Sequence, residues 1–129
     1  MKKDIENLWQ MAKDCLEDAQ ILFEKQRFEG TSNRAYYAYF DAVRTLLATK
    51  DIWSKTHSGT HTKYAEIFVK TGILPVETSK NLRNIFEFRQ GGDYDSDIEI
   101  TETDAKYCLE ETQNFIKTAE NYLKTQGFL

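Results

Sequence analysis

Two groups of residues in this chain have the types and spacing to handle a phosphate. The first is Arg89-Gln90-Gly91-Gly92-Asp93-Tyr94-Asp95, which crowds an arginine, a phenol and two carboxylates around a glycine pair. The second is Arg34, Tyr37, Asp41 and Arg44, spaced three, four and three residues apart. On a helix at about 100° per residue that spacing puts all four within one narrow sector. A guanidinium recognises phosphate through paired N–H donors, and an adjacent tyrosine can stack on a base. The same residues can equally form a solvated, salt-bridged helix face. We take Arg34, Tyr37, Arg44 and Arg89 as candidate nucleotide- or phosphate-binding residues, and Arg89, Tyr94 and Asp95 as the catalytic candidates.

The elements that must position them are helical. With one proline, six glycines and 29% charged residues in 129, the chain has few breakers and many helix formers. It is one domain over residues 1–129, large enough to bury a core. Five helices are predicted. The first spans about Asp4 to Arg27, with an apolar stripe from Ile5 through Trp9, Ala12 and Leu16 to Phe23. Gly30 breaks it, and Thr31 or Ser32 caps a second helix running to about Lys50. A third carries Tyr64, Ala65, Phe68 and Val69 and ends at Gly72. Pro75 suits the first turn of a fourth, which Gly91-Gly92 stops, leaving Asp93 to Ile100 as a loop. Thr101 and Asp104 form a capping box for a fifth, whose stripe runs from Ala105 to Leu123. The architecture expected is all-α, an up-and-down antiparallel bundle of four or five helices.

Tyr36, Tyr39 and Phe40 are expected in the core, and Trp9 and Trp53 in the core or a dimer contact. The stripes of the first and last helices are also candidates for a homodimer interface. Cys15 and Cys108 read as reduced core residues rather than a disulfide, which suits a cytoplasmic protein. The charged N-terminus suggests no signal peptide, and no apolar run is long enough to span a bilayer. A net charge of −4 argues against indiscriminate nucleic-acid binding, although a local basic groove is compatible with it. His57 and His61 are the only histidines. Neither has metal-ligand spacing with a cysteine, and His57 reads as a helix N-cap or surface residue. Asp93, Asp95, Asp97, Glu99 and Asp104 match the ligand positions of a calcium loop, but Ile98 stands where its sharp turn needs glycine. Neither a metal nor another cofactor is expected.

Asn33-Arg34-Ala35-Tyr36-Tyr37-Ala38-Tyr39-Phe40 resembles the signature of HEPN domains (higher eukaryotes and prokaryotes nucleotide-binding). Lys55-Thr56-His57-Ser58-Gly59, Phe68 to Leu74, and Phe88 to Asp95 resemble further blocks of that family, in the family's order. The resemblance implies a helical bundle, usually homodimeric. It also implies a two-component, toxin–antitoxin or defence-like module, with a minimal nucleotidyltransferase as partner. Active HEPN ribonucleases need no metal and carry an arginine and a histidine separated by four to six intervening residues. Counting from Arg89, those spacings fall on Tyr94, Asp95 and Ser96. A free phenol titrates near ~10 against ~6.5 for imidazole, so making Tyr94 a base at neutral pH needs about 4 kcal/mol. The expected function is therefore a partner-binding subunit, possible binder of nucleotide or RNA, with a degenerate nuclease motif. The alternative is a metal-independent endoribonuclease toxin acting at a dimer groove.

Overall fold

The computed structural model describes the backbone of residues 2–94 and 99–129, and the side chains of 2–89 and 99–129. Five α-helices follow one another: α1 (Lys2–Glu24), α2 (Phe28–Ala48), α3 (His57–Tyr64), α4 (Val76–Tyr94) and α5 (Glu102–Thr125). No strand occurs among the described residues. The expected all-α bundle is what forms.

Helix α2 is its axis, packing against α1, α4 and α5. Ala35, Tyr36, Tyr39, Ala42, Val43, Leu46 and Leu47 are all buried. The ring of Tyr39 stacks on Phe115 of α5 at 4.1 Å and an interplanar angle of 3°. Its hydroxyl donates to the Thr78 carbonyl at 2.8 Å, which satisfies a polar group that would otherwise be costly to bury. Ile5, Leu8, Trp9, Ala12 and Ala19 of α1, and the stripe from Ala105 to Leu123 of α5, face inward. Much of both stripes therefore packs within one chain, while Cys15, Leu16, Leu22 and Phe23 of α1 stay partly exposed.

Several local expectations change. Helix α2 begins at Phe28, so Gly30 lies inside it, and Arg27 occupies the N-cap without a side-chain cap. Thr31 and Ser32 do not cap. Their hydroxyls bond back to the carbonyls of Arg27 and Glu29, as buried mid-helix hydroxyls do. Gly30 serves packing instead: a Cβ there would meet Leu22 Cδ1 at 3.2 Å. Pro75 precedes α4 rather than sitting in its first turn, and its carbonyl accepts from Thr78 N. Helix α4 does not stop at Gly91-Gly92; it continues to Tyr94. Glycine permits a left-handed residue without requiring one, and two helical glycines cost only about 1 kcal/mol each relative to alanine. The predicted loop start at Asp93 is therefore helical. Trp53 is 52% exposed, not a core residue.

Other signals read true. Gly72 takes φ +78° after the third helical segment, which ends in a π-helical turn over Ala65–Val69. Thr101 and Asp104 form the full capping box.

Truncating Phe115→Ala removes the ring stacked on Tyr39 and should cost about 3–5 kcal/mol, read as a lower midpoint in urea unfolding at unchanged slope.

Candidate functional site: an arginine-lined groove with two histidines

The turn before α3 sets the site. Thr56 is the N-cap, and its side chain accepts from Gly59 N at 2.9 Å. Glycine suits that position, because a Cβ would lie 2.6 Å from Thr56 Oγ1 and 2.7 Å from Ser54 Oγ and would displace those hydroxyls, the capping one included. His57 is therefore the first residue of α3, not its cap. His57 and His61 stand one turn apart on one face of the helix. Both reach the same atom, the hydroxyl of Tyr36: His57 Nδ1 lies 2.6 Å from it and His61 Nε2 2.9 Å. His57 is half-buried rather than the surface residue expected. The His57 ring stacks on Phe40 at 4.6 Å and on Phe86 at 5.5 Å.

Arg89 of α4 joins this cluster. Its Nη2 donates to Tyr37 Oη at 2.9 Å. Its guanidinium carbon lies 5.3 Å from the Tyr37 ring centroid and 5.9 Å from that of Tyr36. Arg34 lies 5.0 Å from the Tyr37 ring and is held by Asn33 Oδ1 through Nε and Nη2, at 3.0 and 2.9 Å. Tyr37 thus engages two guanidiniums and acts first as their mount. Arg44 bonds Asp41 at 3.3 Å, with Asp41 almost fully buried.

The four candidate binding residues therefore converge. Arg34, Tyr37, Asp41 and Arg44 line a groove of about 300 Å³, together with His57 and with Met11 and Cys15 of α1. Arg89 backs it through Tyr37. The face is an open groove between α1, α2 and α3, in which Arg34, Tyr37 and Arg44 are half-buried and the Arg44–Asp41 ion pair forms. A larger cavity of about 510 Å³ lies elsewhere. Its lining, which includes Glu87, Phe88, Asp104 and Tyr107, holds no cation to attract phosphate. The side chains of Tyr94 and Asp95 lie outside the described residues, as does most of the calcium-loop pattern. Asp104 instead accepts from Thr101 N. Among the described residues no group of three metal-ligating side chains occurs.

The electrostatics are uneven. Burial raises the Asp41 pKa, while Arg44 and Arg34 pull it back. Burial, then Asp41, raises the Cys15 thiol, so the thiolate is disfavoured. Cys108 is pushed up to about 12 by burial, and both cysteines are free. Burial, then Arg89, lowers His57. Burial, then His57 and Arg83, lowers His61 to about 4. Both imidazoles are therefore neutral at pH 7.

With this geometry established, the comparisons assign the class. A HEPN domain family model matches residues 5–122, and the chain belongs to the HEPN family. It is 34% identical to the Methanocaldococcus jannaschii protein named "Putative toxin MJ0142", over 99% of this chain and 87% of that one. It is 33% identical to a UPF0332 protein of Thermotoga maritima, over 95% and 93% of the two chains. A second M. jannaschii protein, named "Putative toxin MJ0605", is 29% identical over 96% and 92%. Among the described residues no helix is long and apolar enough to cross a membrane.

Sequence reasoning missed the pairing of His57 and His61 with Tyr36. The i,i+4 spacing of the two histidines was a signal that they share a face. Nothing in the sequence placed that face against Tyr36.

The lowered His61 pKa makes a stability prediction. The unfolded imidazole takes its proton near ~6.5, the folded one only near about 4. Between those values the unfolded chain binds the extra proton, so stability falls as pH drops from about 6.5 toward 4. After allowing for solvent screening, this part of the loss should be about 1–2 kcal/mol. Urea unfolding of His61→Gln should show a correspondingly shallower fall over the same range.

Proposed function

We propose that this HEPN chain is the phosphate-binding subunit of a two-component, toxin-like module, and that its α1–α2–α3 groove receives the phosphate of RNA or a nucleotide. One observation carries the reading: Arg34, Arg44 and Arg89 are brought from two helices to one locus of a chain whose net charge is −4. Among the described residues, three guanidiniums and one carboxylate at this locus give a local positive field against an acidic background. Arg34 and Arg89 are held in place by Asn33 and Tyr37 before any ligand arrives, so less entropy is lost on binding.

The partner in this reading is a minimal nucleotidyltransferase. Support comes from the HEPN membership and from relatives whose names describe toxins. A homodimer belongs to the same reading. Because much of the α1 and α5 stripes is buried within one chain, the exposed apolar candidates among the described residues are Met11, Ile21, Trp53, Ile73, Val76 and Leu129. Tyr94 is proposed as an acceptor for a nucleotidyl group from the partner. Incubation of the pair with a labelled nucleoside triphosphate should label the wild type and leave Tyr94→Phe unlabelled; label retained on the variant excludes that role.

A second reading, metal-independent RNA cleavage, draws on a separate observation. The motif's arginine lacks a histidine at family spacing, yet His57 lines the groove and feels the charge of Arg89. Imidazole is the usual proton-transfer group near neutral pH, and an arginine can stabilise charge developing on the phosphate.

Binding is tested with a short fluorescein-labelled single-stranded RNA by anisotropy, across a salt series. Arg34→Ala and Arg44→Ala should each weaken affinity roughly tenfold, by loss of a charge-assisted contact. Each should also reduce the salt slope by about 0.7. Equal affinity and slope in wild type and both variants would show that the groove does not hold phosphate. Cleavage is tested on the same RNA in the presence of chelator. The second reading requires fragments from wild type and none from Arg89→Ala.

A further inference from the structure

The Tyr36 hydroxyl carries one proton and sits within hydrogen-bond distance of two imidazole nitrogens. A phenol can donate to only one of them, so it must accept from the other. This leaves two arrangements when both rings are neutral. In one, Tyr36 donates to His57 Nδ1 and accepts from His61 Nε2–H. His57 then carries its proton on Nε2. In the other, Tyr36 donates to His61 Nε2 and accepts from His57 Nδ1–H. His57 Nε2 is then a bare lone pair. The two rings are locked together: both carry the proton on Nε2, or both on Nδ1. Nε2 of His57 is the nitrogen left for a ligand, and His57 lines the arginine groove. His61 lines a separate pocket of about 200 Å³ on the other side, with Glu66, Ser79 and Arg83.

We propose that His57, Tyr36 and His61 form a tautomer-coupled proton relay, which lets His57 offer the groove either a lone pair or a proton without itself becoming charged. The geometry carries this: a hydroxyl buried between α2 and α3, bridging two rings that open onto two different pockets. The surroundings give it a purpose. Around His57 stand Arg89 from α4, and Arg34, Arg44, Asp41, Tyr36 and Tyr37 from α2. Cys15 approaches from α1, and Arg83 faces His61 from α4. Glu66 and Lys70 also line the His61 pocket. Burial first, and then the cations among the described residues, disfavour an imidazolium at both positions. The Tyr36 phenol is likewise kept neutral by burial. A relay that moves protons without storing charge suits such a site.

The relay rests on the cleavage reading for its chemical use, and the step balances. A ribose 2′-oxygen loses its proton to His57 Nε2 and forms a bond to phosphorus. The His57 Nδ1 proton passes to Tyr36, the Tyr36 proton passes to His61 Nε2, and His61 Nδ1 releases one to solvent. The bond from phosphorus to the 5′-oxygen breaks, giving a 2′,3′-cyclic phosphate. His57 Nε2–H then protonates the leaving 5′-oxygen, and the relay runs backward to its starting state, with His61 Nδ1 regaining a proton from solvent. Here His57 is the catalytic residue, and Tyr36 and His61 are positioning residues.

Nitrogen-15 NMR of the two ring systems decides the matter. At pH 7 the wild type should show two neutral rings with matched tautomers, or rings exchanging in concert. Tyr36→Phe should uncouple them, giving independent tautomer populations and a shifted His57 titration. His61→Gln, whose substitution leaves the Tyr36 ring in place, should also shift the His57 tautomer ratio. Opposite fixed tautomers in the wild type would overturn the relay, as would an imidazolium at pH 7 or His57 signals unmoved in both variants. RNA cleavage is read separately. If wild type cleaves, both variants should lose tenfold or more in kcat with RNA affinity unchanged, and His57→Ala should lose more. If wild-type RNA stays intact while the tautomers are coupled, the cleavage reading fails and the relay stands.

Discussion

The buried hydroxyl of Tyr36 is the constraint around which this site is organised. A phenol taken out of water without a partner costs on the order of 1–3 kcal/mol, and the Tyr36 ring is fully buried. Its partners come from α3, a short helix of eight residues with little apolar surface of its own. The two histidine contacts therefore do more than satisfy Tyr36. They tie α3 to α2 at a fixed rotation, with His57 at the mouth of the groove. The cap at Thr56, with glycine at 59 leaving room for it, fixes where α3 begins. Moving the helix start by one residue would swing both rings by about 100° and lose the hydroxyl.

Tyr37, the next residue along α2, gathers a different set of partners. Its ring and hydroxyl collect Arg34 and Arg89 from two helices, while Tyr36 collects two imidazoles. Adjacent helical positions diverge by about 100°, so one tyrosine pair serves two environments, a cationic rim and a neutral, partly buried pair of bases. The two remain coupled through charge, since Arg89 lowers His57 and also opposes the burial-driven rise of Tyr36. Asp41 tempers the rim without neutralising it, because its pairing with Arg44 leaves Arg34 and Arg89 on other partners.

Much of this was legible in the sequence. The stripes of α1, α2 and α5 gave the bundle, because burial of an apolar face imposes a helical period. The spacing of Arg34, Tyr37, Asp41 and Arg44 gave a shared face for the same reason. What the period does not specify is what covers that face. Asp41 looked like part of a solvated ion-pair row and is instead walled in with Met11 and Cys15. Gly91-Gly92 looked like a stop because glycine is common past helix ends, yet α4 runs through it. Propensity is a weak prior that tertiary context overrides.

The histidines illustrate a more general limit. A motif defined by spacing along one segment searches only the residues that one segment can bring together. Arg89 has no histidine downstream at family spacing, and by that criterion the chain lacks a proton-transfer group. In three dimensions the packing of α3 and α4 against α2 places His57 against the same Tyr36 and Phe86 rings that Arg89 touches. Three helices meeting at one tyrosine pair can assemble an arginine and an imidazole from any order in the chain. Spacing along one segment is therefore a partial test for such a pair, because helix packing sets which side chains meet.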